Sequence, residues 1–232
     1  MGESRKEKWA RERAETLQRE RALWRSGLSR VAGVDEVGVG PLAGPVVAAA
    51  VVLPESIAID GVRDSKKVSS RRREVLAEAI QNDALSVGIG VVEAAEVDRL
   101  NTYHGALEAM RRAVLNLAIP PDHLLVDART VPNLQVEQTA IVHGDAHVYS
   151  IAAASIVAKV HRDGLMADLD LRHPGYGFAR NAGYGTAEHL AALESLGPCP
   201  AHRRSFAPVR RALEREQGSD KMEPVAGGNP EE

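Results

Sequence analysis

VAGVDEVGVGPLAGPVVAAA, residues 31–50, decides the fold of this chain. It reads as an apolar strand, two adjacent carboxylates, a glycine-rich turn and a second apolar strand. Asp35 and Glu36 stand where the strand preference of Val31, Val34 and Val37 gives way to Gly38, Gly40, Pro41 and Gly44. Two like charges at the end of an apolar strand repel each other and resist burial. A bound cation relieves both costs, so the stretch points to a metal site. The plain alternative is a solvated hairpin end, where Asp and Glu are common beside Gly and Pro.

Composition narrows what surrounds this stretch. The chain has 232 residues, 44% hydrophobic and 26% charged, which suits one medium domain with appendages. The longest apolar run, Leu42 to Leu53, contains Gly44 and Pro45 and is too short to span a bilayer. The first thirty residues are dense in charge and unlike a signal peptide. Cys199 is the only cysteine, which excludes an intramolecular disulfide and a thiolate zinc cluster. A reducing cytoplasm is the expected home, and no membrane partner is expected.

The net charge of −3 hides basic patches. Residues 1–30 hold nine Lys/Arg against five Glu, Arg63 to Arg73 hold six basic residues against Asp64, and Arg203 to Arg215 hold five Arg against Glu214. Residues 216–232 reverse the sign, with five acids against Lys221. Phosphates respond to patches rather than averages.

Taken in order, residues 1–27 form a charged helical extension. Ser4-x-x-Glu7 is a capping box, and Trp9, Leu17 and Trp24 lay a narrow apolar stripe along a helix ended by Gly27, which could dock on the main domain, pair with another chain or touch nucleic acid; a solvated helix with one docking edge is the preferred reading. The main domain covers residues 28–215. Its second strand runs from Val46 to Leu53, and a helix follows Ser69 or Ser70. Ser86 to Val92 alternates as a third strand, completing a meander. Helices over about 94–100 and 103–117 end at Pro120-Pro121. A short strand ends at Asp127, another covers residues 138–142 and leads to Asp145, and a small-residue helix spans about 150–171. Strands mixed with helices indicate an α/β or α+β layered domain. Residues 216–232 form an acidic tail with little to bury, expected to be disordered.

Asp35, Glu36, Asp127 and Asp145 share one context, at or just after the end of a strand. Neighbouring strand ends can gather them. An all-oxygen set suits Mg²⁺ or Mn²⁺, and two such ions can drive phosphodiester hydrolysis. Adjacent strand residues point to opposite faces. Either the following glycines break the pleat, or Glu36 acts partly through its backbone carbonyl; Asp35 ranks as the bridging ligand.

At this point the sequence resembles a known family, bacterial ribonuclease HII, over roughly Arg30 to Arg211. The resemblance rests on ordered blocks: AGVDEVGVGPLAGPVVAAAVVL, DSKK at 64–67, LLVDA ending at Ala128, HGD at 143–145, IAAASIVAKVHRD at 151–163, HPGYGF at 173–178, GYGT at 183–186 and HRRSFAPVRRAL at 202–213. It implies a ribonuclease H-like fold, a mixed five-stranded sheet flanked by helices with a helical C-terminal region. It also implies two-metal-ion endonucleolytic cleavage of the RNA strand of RNA/DNA hybrids. Cuts 5′ of ribonucleotides embedded in duplex DNA, leaving 5′-phosphate ends, belong to ribonucleotide excision repair. The four acids map onto Asp35, Glu36, Asp127 and Asp145, both as catalytic residues and as metal ligands. Gly38, Val39 and Gly40 map onto the turn that approaches the ribose 2′-hydroxyl, which distinguishes RNA from DNA. Tyr184 maps onto a tyrosine that stacks beyond the RNA–DNA junction. Ser65, Lys66 and Lys67 map onto a block near the substrate backbone. A monomer is expected, and contact with a replication clamp is a further partner to test.

The residues support a nucleic-acid surface independently. Four of the eight aromatics, Tyr176, Phe178, Tyr184 and Phe206, fall near Arg180, Arg203 and Arg204. Phe178 and Phe206 read as core and Tyr184, between two glycines, as exposed; the histidines at 143, 161, 173, 189 and 202 lack ligand spacing and read as structural. Two positions depart from the family pattern: Val39 stands where arginine is usual, and Asn181-Ala182 where His-Lys is usual. Both changes remove basic groups expected near phosphate, so weakened junction binding is expected. Two rivals follow. The sister enzyme ribonuclease HIII typically has a separate N-terminal domain and a glutamate as fourth acid, neither matched here. A non-catalytic hybrid-binding protein is the other, motivated by Val39 and Ala182.

Overall fold

The structure, a computed structural model, describes residues 3–219 except 64, 66 and 67. Its centre is a five-stranded mixed sheet of β1 (Val31–Val37), β2 (Val46–Val52), β3 (Ser86–Val92), β4 (His123–Asp127) and β5 (Glu137–Ile141), in the order β3-β2-β1-β4-β5. The first three strands form the antiparallel meander read from the sequence, with Asp35 opposite Ala49 and Ala49 opposite Ile89. β4 and β5 add in parallel beyond β1. Parallel pairing needs a crossover, and α4 (Ala94–Leu115) provides the one between β3 and β4.

All seven residues of β2 are buried. Such a strand must be covered on both faces, which explains its continuous apolar run. On one face, Val31, Val47, Ala49 and Val51 pack with Ile151, Ala154 and Ile156 of α6 (Tyr149–Arg172). On the other, Ala32, Val34, Ala48 and Ala50 pack with Ala106, Met110 and Ala113 of α4. Small residues let the helices lie close. A Cβ on Gly33 would stand 2.0 Å from the carbonyl carbon of Ser150, so β1 and the start of α6 touch backbone to backbone.

The sequence treats residues 94–117 as two helices, and α4 is indeed broken inside. Asn101 takes φ +65°, and its side-chain oxygen accepts from the His104 amide at 3.1 Å, restarting the helix. The N-terminal reading needs correction. The single expected helix is α1 (Arg5–Thr16) and α2 (Gln18–Arg25), broken at Leu17. The Ser4/Glu7 capping box forms as read. Leu17 and Trp24 form the docking edge read from the sequence; both are buried in the same core as α6. Their stripe is too apolar to remain in water once that sheet face is available.

The remaining helices are α3 (Ser70–Asp83), α5 (Gly144–His147), α7 (Phe178–Asn181), α8 (Ala187–Leu196) and α9 (Ala207–Ser219). Helix α9 continues past residue 216, where the expected tail begins; residues 220–232, and the disorder read for them, lie outside the described residues. No helix among the described residues is long and apolar enough to cross a membrane.

Candidate active site

The parallel ladder between β1 and β4 stops at the pair Val34–Val126, so Asp35 and Asp127 are the first residues beyond it on each strand. Past that point the strands stop sharing hydrogen bonds, and carboxylates can occupy the opening. Carboxylate oxygens of Asp35, Glu36 and Asp127 lie within 4.8 Å of one another. The pleat problem posed by the sequence is thereby settled geometrically. Glu36 starts from the face opposite Asp35, but its longer side chain brings a carboxylate oxygen into the same cluster.

Each acid is held by its neighbours. One oxygen of Asp35 accepts the Glu36 amide at 2.8 Å, and Ser155 of α6 hydrogen-bonds to the same carboxylate. Ser155 is in turn 3.0 Å, oxygen to oxygen, from the hydroxyl of buried Ser65. Asp127 accepts the Gly144 amide at 2.7 Å. Gly144 sits close under α6: a Cβ would stand 2.5 Å from Cδ1 of Ile151, which would have to move. The preceding residue, His143, turns the chain with φ +56° between β5 and α5.

Asp145 follows the end of β5 by four residues, just after a strand as read, but on a helix. It sits in the first turn of α5, and the three-acid cluster does not include it. Its charge is still felt at Asp35. Burial pushes the Asp35 carboxyl well above the usual carboxylate range, and the negative charges of Glu36, Asp127 and Asp145 push in the same direction; only the Ser155 hydrogen bond opposes them. A buried carboxylate surrounded by like charge is a poor anion alone and a good ligand for a cation. The donors are all hard oxygens, so the residues fit a divalent cation of the Mg²⁺/Mn²⁺ kind.

The loop after β1 borders this cluster, and two buried arginines fix it. Neither is paired with a carboxylate among the described residues. Arg203 donates to the Gly38 oxygen at 2.6 Å, the Val39 oxygen at 2.8 Å and the Gly44 oxygen at 2.8 and 3.0 Å. Arg162 donates to the Pro45 oxygen at 2.9 Å and the Ala182 oxygen at 3.0 Å. Gly38 runs at φ +89°, and a Cβ there would strike Arg162 Nε at 2.2 Å. These arginines are the functional residues the sequence reading passed over. Both stood in quoted blocks, and Arg203 was read as part of a basic patch and of a nucleic-acid surface rather than as a buried group. Nothing in one sequence marks an arginine that is fully buried.

Tyr184 is exposed, as expected, and its ring lies 3.7 Å from the position a Cβ on Gly40 would take. The structure therefore places Tyr184 beside Gly40, in the loop that follows Glu36 directly. Its support comes from behind. His189 Nδ1 lies 2.8 Å from the Tyr184 oxygen, His189 Nε2 lies 3.0 Å from His202 Nε2, and the Cys199 amide donates to His202 Nδ1 at 3.1 Å. Tyr176 and Phe178 stack at 5.2 Å and close the pocket around both histidines. The histidines at 189 and 202 and Phe178 are structural, as read; Phe206 packs, partly buried, on the Leu42–Val209 cluster.

Asn181 revises one departure. It is buried, donates to the Tyr176 oxygen at 2.7 Å and accepts the Gly183 amide at 2.8 Å, so it builds the turn that carries Tyr184. Of the DSKK block only Ser65 is described, buried under the cluster; Lys66 and Lys67 lie outside the described residues.

Three carboxylates at the splayed end of two parallel strands, beside a fixed loop and an exposed tyrosine, define a metal-dependent nuclease of the ribonuclease H-like class. Comparison with known proteins narrows the class. The family model described as Ribonuclease HII matches residues 32–209. Ribonuclease HII of Myxococcus xanthus is 55% identical over 204 residues, covering 88% of this chain and 70% of that protein. The crystal structure of ribonuclease H2 from Pyrococcus horikoshii superposes with a TM-score of 0.69 at 27% identity, covering 81% of this chain and 99% of that one. The structure of Bst-RNase HIII in complex with Mn²⁺ shares the fold, with a TM-score of 0.59 at 20% identity over 82% of this chain and 70% of that one. The chain belongs to the ribonuclease HII family and is a metal-dependent endoribonuclease.

Proposed function

We propose that this chain cuts the RNA strand of RNA/DNA hybrids, and cuts 5′ of single ribonucleotides embedded in duplex DNA. Asp35, Glu36, Asp127 and Asp145 serve as its catalytic acids and hold Mg²⁺ or Mn²⁺. The observation that carries this reading is the convergence of Asp35, Glu36 and Asp127 within 4.8 Å beside the Gly38–Gly40 loop. Mn²⁺ is the ion named with the related ribonuclease HIII structure, and the same hard-oxygen chemistry supports it here.

When bound, a pair of such cations supplies the Lewis acidity for in-line attack on a phosphodiester. The chain's own residues supply position. Ser155 and the Glu36 amide orient Asp35, and the Gly144 amide orients Asp127. Arg203 occupies the Gly38 and Val39 carbonyls from inside, which keeps the loop's outer edge in place for the ribose. The exposed ring of Tyr184 beside Gly40 offers a flat surface for the sugar or base past the junction. Ser65, Lys66 and Lys67 complete the proposed substrate-binding set. The cytoplasm is the proposed location, the monomer the proposed form, and a replication clamp a partner to test.

Asp127→Asn tests the assignment. Asparagine keeps the shape and an oxygen for the Gly144 amide but removes the charge. The variant should melt near the wild type and cleave a one-ribonucleotide duplex slower by at least about 100-fold with Mg²⁺ or Mn²⁺. Wild-type cleavage with no such loss overturns the metal assignment. A wild type that binds the duplex without cutting it favours the binding-only rival.

A further inference from the structure

We propose that Glu20, in the N-terminal extension, is a positioning residue for the metal cluster, acting through the start of α6. Glu20 is fully buried on α2, and its oxygen accepts the Ser150 amide at 2.7 Å across 130 residues of sequence. Helix α6 needs this. Its N-cap residue is Val148, which has no side-chain acceptor, so the helix begins without a local cap. Glu20 supplies the missing acceptor, and a carboxylate at a helix N-terminus also meets the favourable end of the helix dipole. Burial raises the proton affinity of Glu20, while the Ser150 hydrogen bonds act in the other direction.

The capped turn carries both supports of the cluster. The side chain of Ile151, next to Ser150, packs directly against Gly144, whose amide orients Asp127. Ser155, about one turn further on, bonds to Asp35. Ser150 also lies against Gly33 of β1, two residues before Asp35, with no space for a methyl group between them. A shift of the first turn of α6 therefore reaches Asp35 and Asp127 together. A solvated appendage would have no such path.

This inference rests on the proposed metal site, and the test separates the two. Mn²⁺ alone is titrated calorimetrically into wild type, Glu20→Ala, Glu20→Gln and Met110→Ala, with melting curves and cleavage kinetics in parallel. Met110 is buried on the opposite sheet face and serves as a destabilised control. Glu20→Ala should weaken Mn²⁺ binding and lower kcat by about 10-fold, with KM for the duplex little changed. Glu20→Gln, which keeps an acceptor oxygen, should restore both, and Met110→Ala should lose melting temperature but neither. Should Glu20→Ala not fold, Glu20→Asp decides. Its shorter reach should weaken Mn²⁺ binding in a folded protein. Wild-type Mn²⁺ affinity and kcat in a folded Glu20→Ala, or in Glu20→Asp, overturns the proposal. No Mn²⁺ binding by the wild type overturns the metal reading beneath it.

Discussion

Replacing Arg203 by methionine isolates what a buried arginine does for the loop after β1. Its guanidinium, fully buried, bonds three backbone carbonyls, those of Gly38, Val39 and Gly44. Left without a donor, each buried carbonyl costs about 1–3 kcal/mol. Loss of the guanidinium from above the Phe206 ring, 5.6 Å away, adds roughly 0.5–1 kcal/mol. Against this, methionine removes a desolvated cation. Burial and the nearby charge of Arg162 lower the Arg203 pKa to about 10, so the native state tolerates this charge rather than welcoming it. The balance is a destabilisation of about 3–5 kcal/mol. For a chain of this size that lowers Tm by about 10 °C. The assay is thermal unfolding at neutral pH beside cleavage of a one-ribonucleotide duplex. KM should rise with the loss of stability, because the loop that would meet the ribose is the part released. A melting temperature within about 2 °C of wild type would refute the reasoning. It would mean that water or a loop shift satisfies the three carbonyls without cost.

The paired histidines make stability pH-dependent. Burial, with the facing His189, lowers the His202 pKa to about 4, against an ordinary value of 6.5. The unfolded chain therefore binds the proton first, and stability present above pH 6.5 is lost as pH falls toward 4, by up to about 3 kcal/mol. Urea unfolding at several pH values, compared with His202→Gln, checks this; an unchanged pH slope in the variant rejects it. Val39 is half-buried against the Val34 side of the core, beside the exposed Gly40. Val39→Arg should lower KM for the one-ribonucleotide duplex and steepen its salt dependence by about one phosphate contact. Kinetics at two salt concentrations decide it, and identical KM values at both leave the expected phosphate contact without support.

The sheet was legible in the sequence because its signals are local. Alternation in Ser86 to Val92, the all-apolar β2 and the turn at Gly38 to Gly44 each encode their own conformation. The Asp35, Glu36 and Asp127 cluster was legible too, since strand ends gather whatever residues they carry. Asp145 was harder. The strand before it, EQTAI, is an edge strand with only Ile141 buried, so its pattern is weak, and a short helix intervenes. The break at Leu17 was hidden because one heptad stripe serves a continuous helix or two short ones equally well. The roles of Arg162, Arg203 and Glu20 were not legible. A charged side chain reads as solvated unless its partners are known, and theirs lie between 20 and 165 residues away.

Those distances bear on how the site is built. The clustered acids occupy the ends of two adjacent strands, while the loop and the helix beside them are held from near the chain's extremities. Arg203 fixes the loop after β1 from the C-terminal region, and Glu20 caps α6 from the N-terminal extension. Both are charged groups buried on backbone atoms rather than on opposite charges, an arrangement that is costly unless the geometry is kept. The cost makes the arrangement selective. A backbone carbonyl or amide accepts only one placement of a buried ion, whereas an apolar contact tolerates small slides. Carboxylates that must share a cation need that kind of restraint, because their mutual repulsion would otherwise drive β1 and β4 apart at Asp35 and Asp127. On the proposed reading, the extension and the C-terminal region support the site that the sheet carries.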